Sequence, residues 1–146
     1  MNYWLCITNE ENWKVVKAKN IWGVPEGHKK QLNEVEIGDF FVFYLKGEKV
    51  KDVRLPPRIS GIFKVVSKPF KDENKIFSSV GFKNDEIFSH RVKLDPLIIK
   101  NKEFKPFIPK LTFIKNKKKW QGHIQGKAMR SIPKEDFKLI MKDLSK

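Results

Sequence analysis

Trp22-Gly23-Val24-Pro25 sets the largest aromatic side chain beside a residue with no side chain and ahead of one with a fixed φ. Held on a rigid turn where a helix gives way to a loop, the indole could stack on a flat ligand while open main-chain groups read the ligand's edge. Taken alone, the same four residues fit better as a Trp covering the core where the helix turns back. Ser60-Gly61-Ile62-Phe63 opens an apolar run, and a glycine there marks a bulge, a close approach by a ligand, or an ordinary bend in a curved sheet. Over 115–130, Lys117, Lys118, Lys119, Lys127 and Arg130 interleave with Trp120, His123, Gly122 and Gly126. That mixture suits phosphate contacts plus stacking on a single strand, and it also suits a solvated lysine turn followed by structural glycines.

Other chemistry has little footing. His28, His90, His123 and Cys6 are scattered singly, with no pair at metal-ligand spacing, so neither a metal nor a cofactor is expected. Gly122 and Gly126 match no phosphate-cradling loop, and no nucleophile elbow surrounds Ser60, Ser67, Ser89 or Cys6. An RNA-processing enzyme would need Asp39, Asp72, Asp85, His90 or His123 to converge in space.

The balance of 31 Lys plus Arg against 17 Asp plus Glu gives a formal net charge of +14, a field that attracts polyanions. Only Arg54, Arg58, Arg91 and Arg130 are arginines, and a lysine-rich surface also follows from genome composition or life at high temperature, so charge alone leaves both readings open. One cysteine between Leu5 and Ile7 reads as a buried strand thiol in a reducing compartment. No segment approaches the length of a membrane span and the first residues lack the features of a signal peptide, which points to the cytoplasm and to no membrane partner.

The elements that must hold these groups follow from periodicity. A chain of 146 residues with 40% hydrophobic and 12% aromatic content is enough for one core, and 1–146 is expected to be a single domain. A buried strand is predicted over 3–8. Thr8 and Glu11, at capping-box spacing, start a helix over 9–19 that buries Trp13 and Val16 and stops at Asn20. A turn at Gly38-Asp39 delivers a central apolar strand over 40–45, a loop covers 46–57, and a second strong strand covers 59–66. After a polar loop over 71–86 comes a half-buried strand over 88–94, ended by Pro96. Short turns follow over 104–114. A last helix begins near Ser131 and Pro133 and carries Phe137, Leu139, Ile140 and Leu144 inward. The fold class is α+β, a barrel-like sheet with peripheral helices.

In order and spacing, Tyr3-Trp4-Leu5-Cys6-Ile7-Thr8-Asn9, Asn12-Trp13, Trp22-Gly23-Val24-Pro25, Gly38-Asp39, 61–66, Arg91-Val92-Lys93, 113–120 and 126–130 resemble the EVE domain, a PUA-like family related to the YTH domains. The resemblance implies a PUA-like mixed-sheet pseudo-barrel whose pocket holds a base flipped out of DNA or RNA, often a methylated one, as a non-catalytic binding module. By that analogy Trp22, Gly23 and Val24 form one wall and Ser60, Gly61 and Phe63 the other, with Trp4 and Trp120 as further candidates and a separate effector protein as a further partner. Related proteins commonly carry Arg-Asn after the Trp motif, where this chain has Pro25-Glu26, and YTH readers carry a second Trp where it has Ile62 and Phe63. A small anionic metabolite in the same pocket is the alternative ligand.

Overall fold

Strands β1 (Tyr3–Thr8) and β3 (Phe40–Leu45) lie parallel, in register from Tyr3 opposite Phe40 to Thr8 opposite Leu45. Their side chains alternate between two separate apolar clusters. Trp4, Cys6, Phe41 and Phe43 enter one, and Leu5, Val42 and Tyr44 enter the other. A strand buried on both faces reads as a continuous apolar run, which is why 40–45 has no polar side. The computed structural model describes residues 1–79 and 86–146.

Around this pair the chain builds a curled, mixed, α+β sheet. Its remaining members are β2 (Ile21–Val24), β6 (Arg58–Val65), β7 (Phe70–Lys71), β8 (His90–Glu103) and β9 (Met129–Ser131). The order is β2-β8-β6-β3-β1-β9, with β7 beside β8, so β2 and β9 end the main path. Helix α1 (Glu10–Lys19) covers one face, packing Trp13 at 5.3 Å from Phe43 and edge-on to Phe63 at 5.9 Å. Helix α2 (Lys29–Asn33) adds Leu32 on that side. Helix α3 (Lys134–Leu144) and a 3₁₀ turn at Lys105–Lys110 cover the other face with Phe137, Ile140, Phe107 and Ile108. The buried Asp39 carboxylate accepts from the backbone N–H of Asn2 and of Glu36, each at 2.9 Å, and from the Trp4 indole at 3.1 Å, tying the start of β1 to the turn before β3.

Several local expectations are corrected. The helix cap is Asn9, whose side chain accepts from the Asn12 N–H at 2.8 Å; Thr8 still belongs to β1, where its carbonyl accepts from Lys46. Trp22 sits on an edge strand paired with β8, not on a turn. The reversal is made two residues earlier, by Asn20 in the left-handed region at φ 56°. The segment 46–57 contains a two-stranded ribbon, β4 (Glu48–Val50) with β5 (Val53–Leu55), turning through Lys51 and Asp52 at φ 48° and 65°. Two such residues make the hairpin turn that Asn-Gly normally signals, so its sequence hid it. Phe88 has φ 59° and precedes β8, which then runs through Pro96 instead of ending there. Pro96 lies opposite Phe63 at a register shift that skips Leu97, and a bulge tolerates a residue without an N–H.

Ser60 is the extra residue of a second bulge, skipped in both the β3 and β8 ladders. Gly61 next to it lets Trp13 seat on the sheet: a Cβ there would stand 2.8 Å from Trp13 Cη2 and 3.0 Å from the Ile98 carbonyl oxygen. Gly61→Ala is therefore expected to cost about 1–3 kcal/mol, the usual cost of overpacking, read as a lower urea midpoint at unchanged m.

Candidate functional site

The edge strand β2 and the chain leading into β9 meet the ends of β1 and β3 around a cavity of about 740 Å³. One wall is Thr8 at the end of β1 with Asn9 and Asn12 at the start of α1, and another is Trp22 and Gly23 on β2. Tyr44, Lys46, Gly47 and Pro57 bring in the end of β3 and the root of the β4–β5 ribbon, and Trp120, Gln121 and Ile124 to Ala128 bring in the chain before β9. The size lies within the ~300–1,000 Å³ typical of small-molecule pockets. Lys46, Lys105, Lys127 and His28 stand on the wall, and no Asp or Glu does among the described residues. An acid-free cationic cavity favours an anionic ligand.

Trp22 is only 3% exposed and stands edge-on to Phe43 at 5.4 Å and to Phe77 at 6.4 Å. It therefore both lines the cavity and belongs to the core, and its indole nitrogen has no nitrogen or oxygen partner among the described residues. Trp120 is half-buried, packed at 5.4 Å on Phe104, and is the more accessible aromatic of the wall. Gly23 allows the loop ahead of β8 to close on β2. A Cβ at Gly23 would meet the Phe88 carbonyl oxygen at 2.7 Å and Phe77 Cε2 at 2.8 Å.

That loop is fastened by Asn12 and Arg91, which the sequence did not advertise as a site. Asn12 clamps Ser78, donating to its carbonyl at 3.1 Å and accepting from its N–H at 2.6 Å. Arg91, buried on β8 opposite Gly23, donates to the carbonyls of Phe88 at 2.9 Å, of Ile87 at 3.3 Å and of Asn74. It pairs with Asp72 at 3.3 Å and lies over the Phe77 ring at 5.6 Å. Burial pushes the Arg91 pKa down, opposed by Asp72 and Glu73. The available signal was compositional: Arg91 is one of four arginines in a lysine-rich chain, and its planar fork serves several carbonyls at once.

The expected opposite wall is not where the analogy put it. Ser60, Gly61 and Phe63 are wholly enclosed, because their strand is the middle of the sheet and both its faces are covered by packing. Val24 is buried beside the cavity without lining it, and Trp4 spends its indole N–H on Asp39. Among the expected phosphate ligands, Lys127 is on the wall, while Lys118 and Lys119 are exposed off it. Lys117 instead donates to the carbonyls of Ile108 at 3.0 Å and Leu111 at 2.6 Å. Arg130 lies 4.6 Å over Phe113 and donates to the carbonyls of His123 and Ser131, both at 3.1 Å. Backbone carbonyls left without partners by the neighbouring turns take up both cations.

The residues of the enzyme alternative go to separate tasks. Asp39 and Asp72 are engaged as above, and His123 accepts from the Asn116 N–H at 3.2 Å. His90 bonds Glu26, whose carboxyl is held down to about 2 by Lys29 first and His90 second. Asp85 lies outside the described residues. Among the described residues no group of three His, Cys, Asp or Glu gathers to hold a metal. No described helix is long and apolar enough to cross a membrane.

A curled PUA-like sheet with an aromatic, cationic cavity at its open edges defines the class. Residues 2–143 match the EVE domain, and the chain belongs to that family. A UPF0310 protein of Pyrococcus abyssi is 57% identical over 140 residues, covering 96% of this chain and 97% of the relative. One from Saccharolobus solfataricus is 30% identical, covering 96% and 93%. Two solved structures share the fold: the YTH domain of Zygosaccharomyces rouxii MRB1 in complex with N6-methyladenosine RNA, and human THYN1 in complex with DNA containing 5-methylcytosine. The first has a TM-score of 0.67 at 14% identity, covering 98% of this chain and 86% of its own. The second has a TM-score of 0.64 at 16% identity, covering 100% and 99%.

Arg91→Met would leave three carbonyls and Asp72 without their donor, so a loss of about 3 kcal/mol in urea unfolding is expected. Faster hydrogen exchange at the Ser78 amide would accompany it, because Arg91 and Asn12 fasten the same loop.

Proposed function

We propose that this EVE domain is a non-catalytic nucleic-acid-binding module that holds a flipped, modified base in the cavity. The observation that carries the reading is the 740 Å³ cavity whose wall, among the described residues, combines Trp22 and Trp120 with Lys46, Lys105 and Lys127 and no carboxylate. The same fold in proteins solved with N6-methyladenosine RNA and 5-methylcytosine DNA supports it. Extruding a base costs a few kcal/mol, and stacking on an aromatic recovers about 1–3 kcal/mol per base, so the remainder falls to edge hydrogen bonds and phosphate contacts. In this assignment Trp120 supplies the stacking surface and Trp22 with Gly23 the inner wall, with main-chain groups of β2 at the base edge. The three wall lysines hold the flanking phosphates, and Lys118 and Lys119 extend the cationic track. The protein works in the cytoplasm.

The second reading is a small anionic metabolite in the same cavity, which the acid-free wall favours equally. It predicts saturable thermal stabilisation by the free ligand with no dependence on strand length.

The deciding measurement is anisotropy titration of four labelled strands: RNA with adenosine or N6-methyladenosine, and DNA with cytosine or 5-methylcytosine. One modified strand should bind at least ~10-fold tighter than its unmodified twin, and Trp120→Ala should remove most of that preference, given about 1–3 kcal/mol per stacked base. Binding no stronger than that of a control protein of equal charge would sink the proposal. Trp22→Phe, followed alongside by thermal melting, separates loss of the site from loss of the core.

A further inference from the structure

The β4–β5 ribbon stands apart from the main sheet and packs into neither apolar cluster. Its root is the cavity mouth, where Lys46 and Gly47 on one leg and Pro57 on the other line the wall. That root is fastened. Glu48 accepts from the Glu10 N–H at 3.0 Å, the Lys46 N–H donates to the Thr8 carbonyl at 3.1 Å, and the buried Arg58 pairs with Glu10. Beyond it Lys49, Lys51, Asp52, Val53 and Arg54 are all exposed, Val53 at 58%.

A lone two-stranded ribbon is marginal in water, and this one worsens its own stability by setting Lys49 directly opposite Arg54. The contact from Lys49 to Asp52, at 3.7 Å between exposed side chains, does little to offset that repulsion. Two cations side by side on one face, about 7 Å out from Gly47 at the rise of a strand, form a ready receptor for a phosphate. Lys51 adds a third cation at the tip, and Lys46 connects the set to the lysines of the cavity wall.

We propose that the β4–β5 hairpin is a nucleic-acid arm that grips the phosphodiester backbone of the strand next to the nucleotide in the cavity. Its grip is independent of whether that nucleotide is modified. The inference rests on the nucleic-acid reading of the cavity. Continuity with the cationic wall favours a nucleic-acid strand over an acidic protein as the occupant.

The test compares two triple variants of equal charge change on the same four labelled strands across a salt series. The arm variant is Lys49→Gln, Lys51→Gln, Arg54→Gln. The control is Lys134→Gln, Lys138→Gln, Lys142→Gln on α3, which contributes nothing to the cavity wall. The arm variant should bind all four strands ~10-fold or more weakly, with a log–log salt slope shallower by about 2, from ~0.7 per lost single-strand phosphate contact. The ratio of modified to unmodified binding and the melting temperature should not change, and the control should keep near-parental affinity. Equal losses in both triples, or no loss in the arm variant, overturns the arm while leaving the cavity reading intact. Polyglutamate competing as well as the oligonucleotides would make the hairpin a dock for acidic protein. A parental protein that binds no strand ends both proposals.

Discussion

Everything in this molecule follows from a pair of strands with no face to spare for water. Because β1 and β3 are apolar on both sides, the chain must cover the sheet twice, with α1 and the segment around Phe77 on one face and with α3 and the turn at Lys105–Lys110 on the other. A curled sheet with open edges cannot be covered completely by these few pieces. The coverings meet at the edges β2 and β9, and there a cavity remains.

The same constraint explains why the cavity has the wall it has. Trp22 is needed by both the core and the cavity, so it presents its edge to Phe43 and Phe77 and only a sliver of surface outward. Such a ring is well positioned but poorly adaptable, which shifts accessible aromatic surface to Trp120. The segment that closes over β2 buries Phe77 and Phe88 in the core, and polar clamps fix its backbone beside them. Asn12 pairs with one backbone unit as a strand would, and Arg91 collects three carbonyls and a carboxylate. A buried guanidinium is tolerable only because each of these partners offsets part of its desolvation.

Cations divide along similar lines. Lys117 and Arg130, attractive as phosphate ligands in the sequence, donate instead to backbone carbonyls of neighbouring turns. Lys46 and Lys105, far apart in the chain and unremarked in the sequence, come to the cavity because the ends of β3 and β8 lie there. Spacing along the chain thus misjudged which lysines are free, since freedom depends on what a folded neighbour needs. A ribbon such as β4–β5 was unreadable for a related reason: its turn uses Lys51 and Asp52 where glycine or asparagine is the usual sign.

What local chemistry alone determined was legible from the sequence. The limits of β1 and β3, the burial of Trp13 and Val16, the stop at Asn20, the final helix and the α+β class all follow from periodicity, caps and breakers, which act over a few residues. The ordered motifs likewise sufficed to mark the EVE family. Only the tertiary structure decided that Ser60, Gly61 and Phe63 lie sealed in the sheet while Trp120, Lys46 and Lys105 face the cavity. Which side of a strand meets a ligand and which meets the core is settled by what packs against each face, and that partner is always remote in sequence.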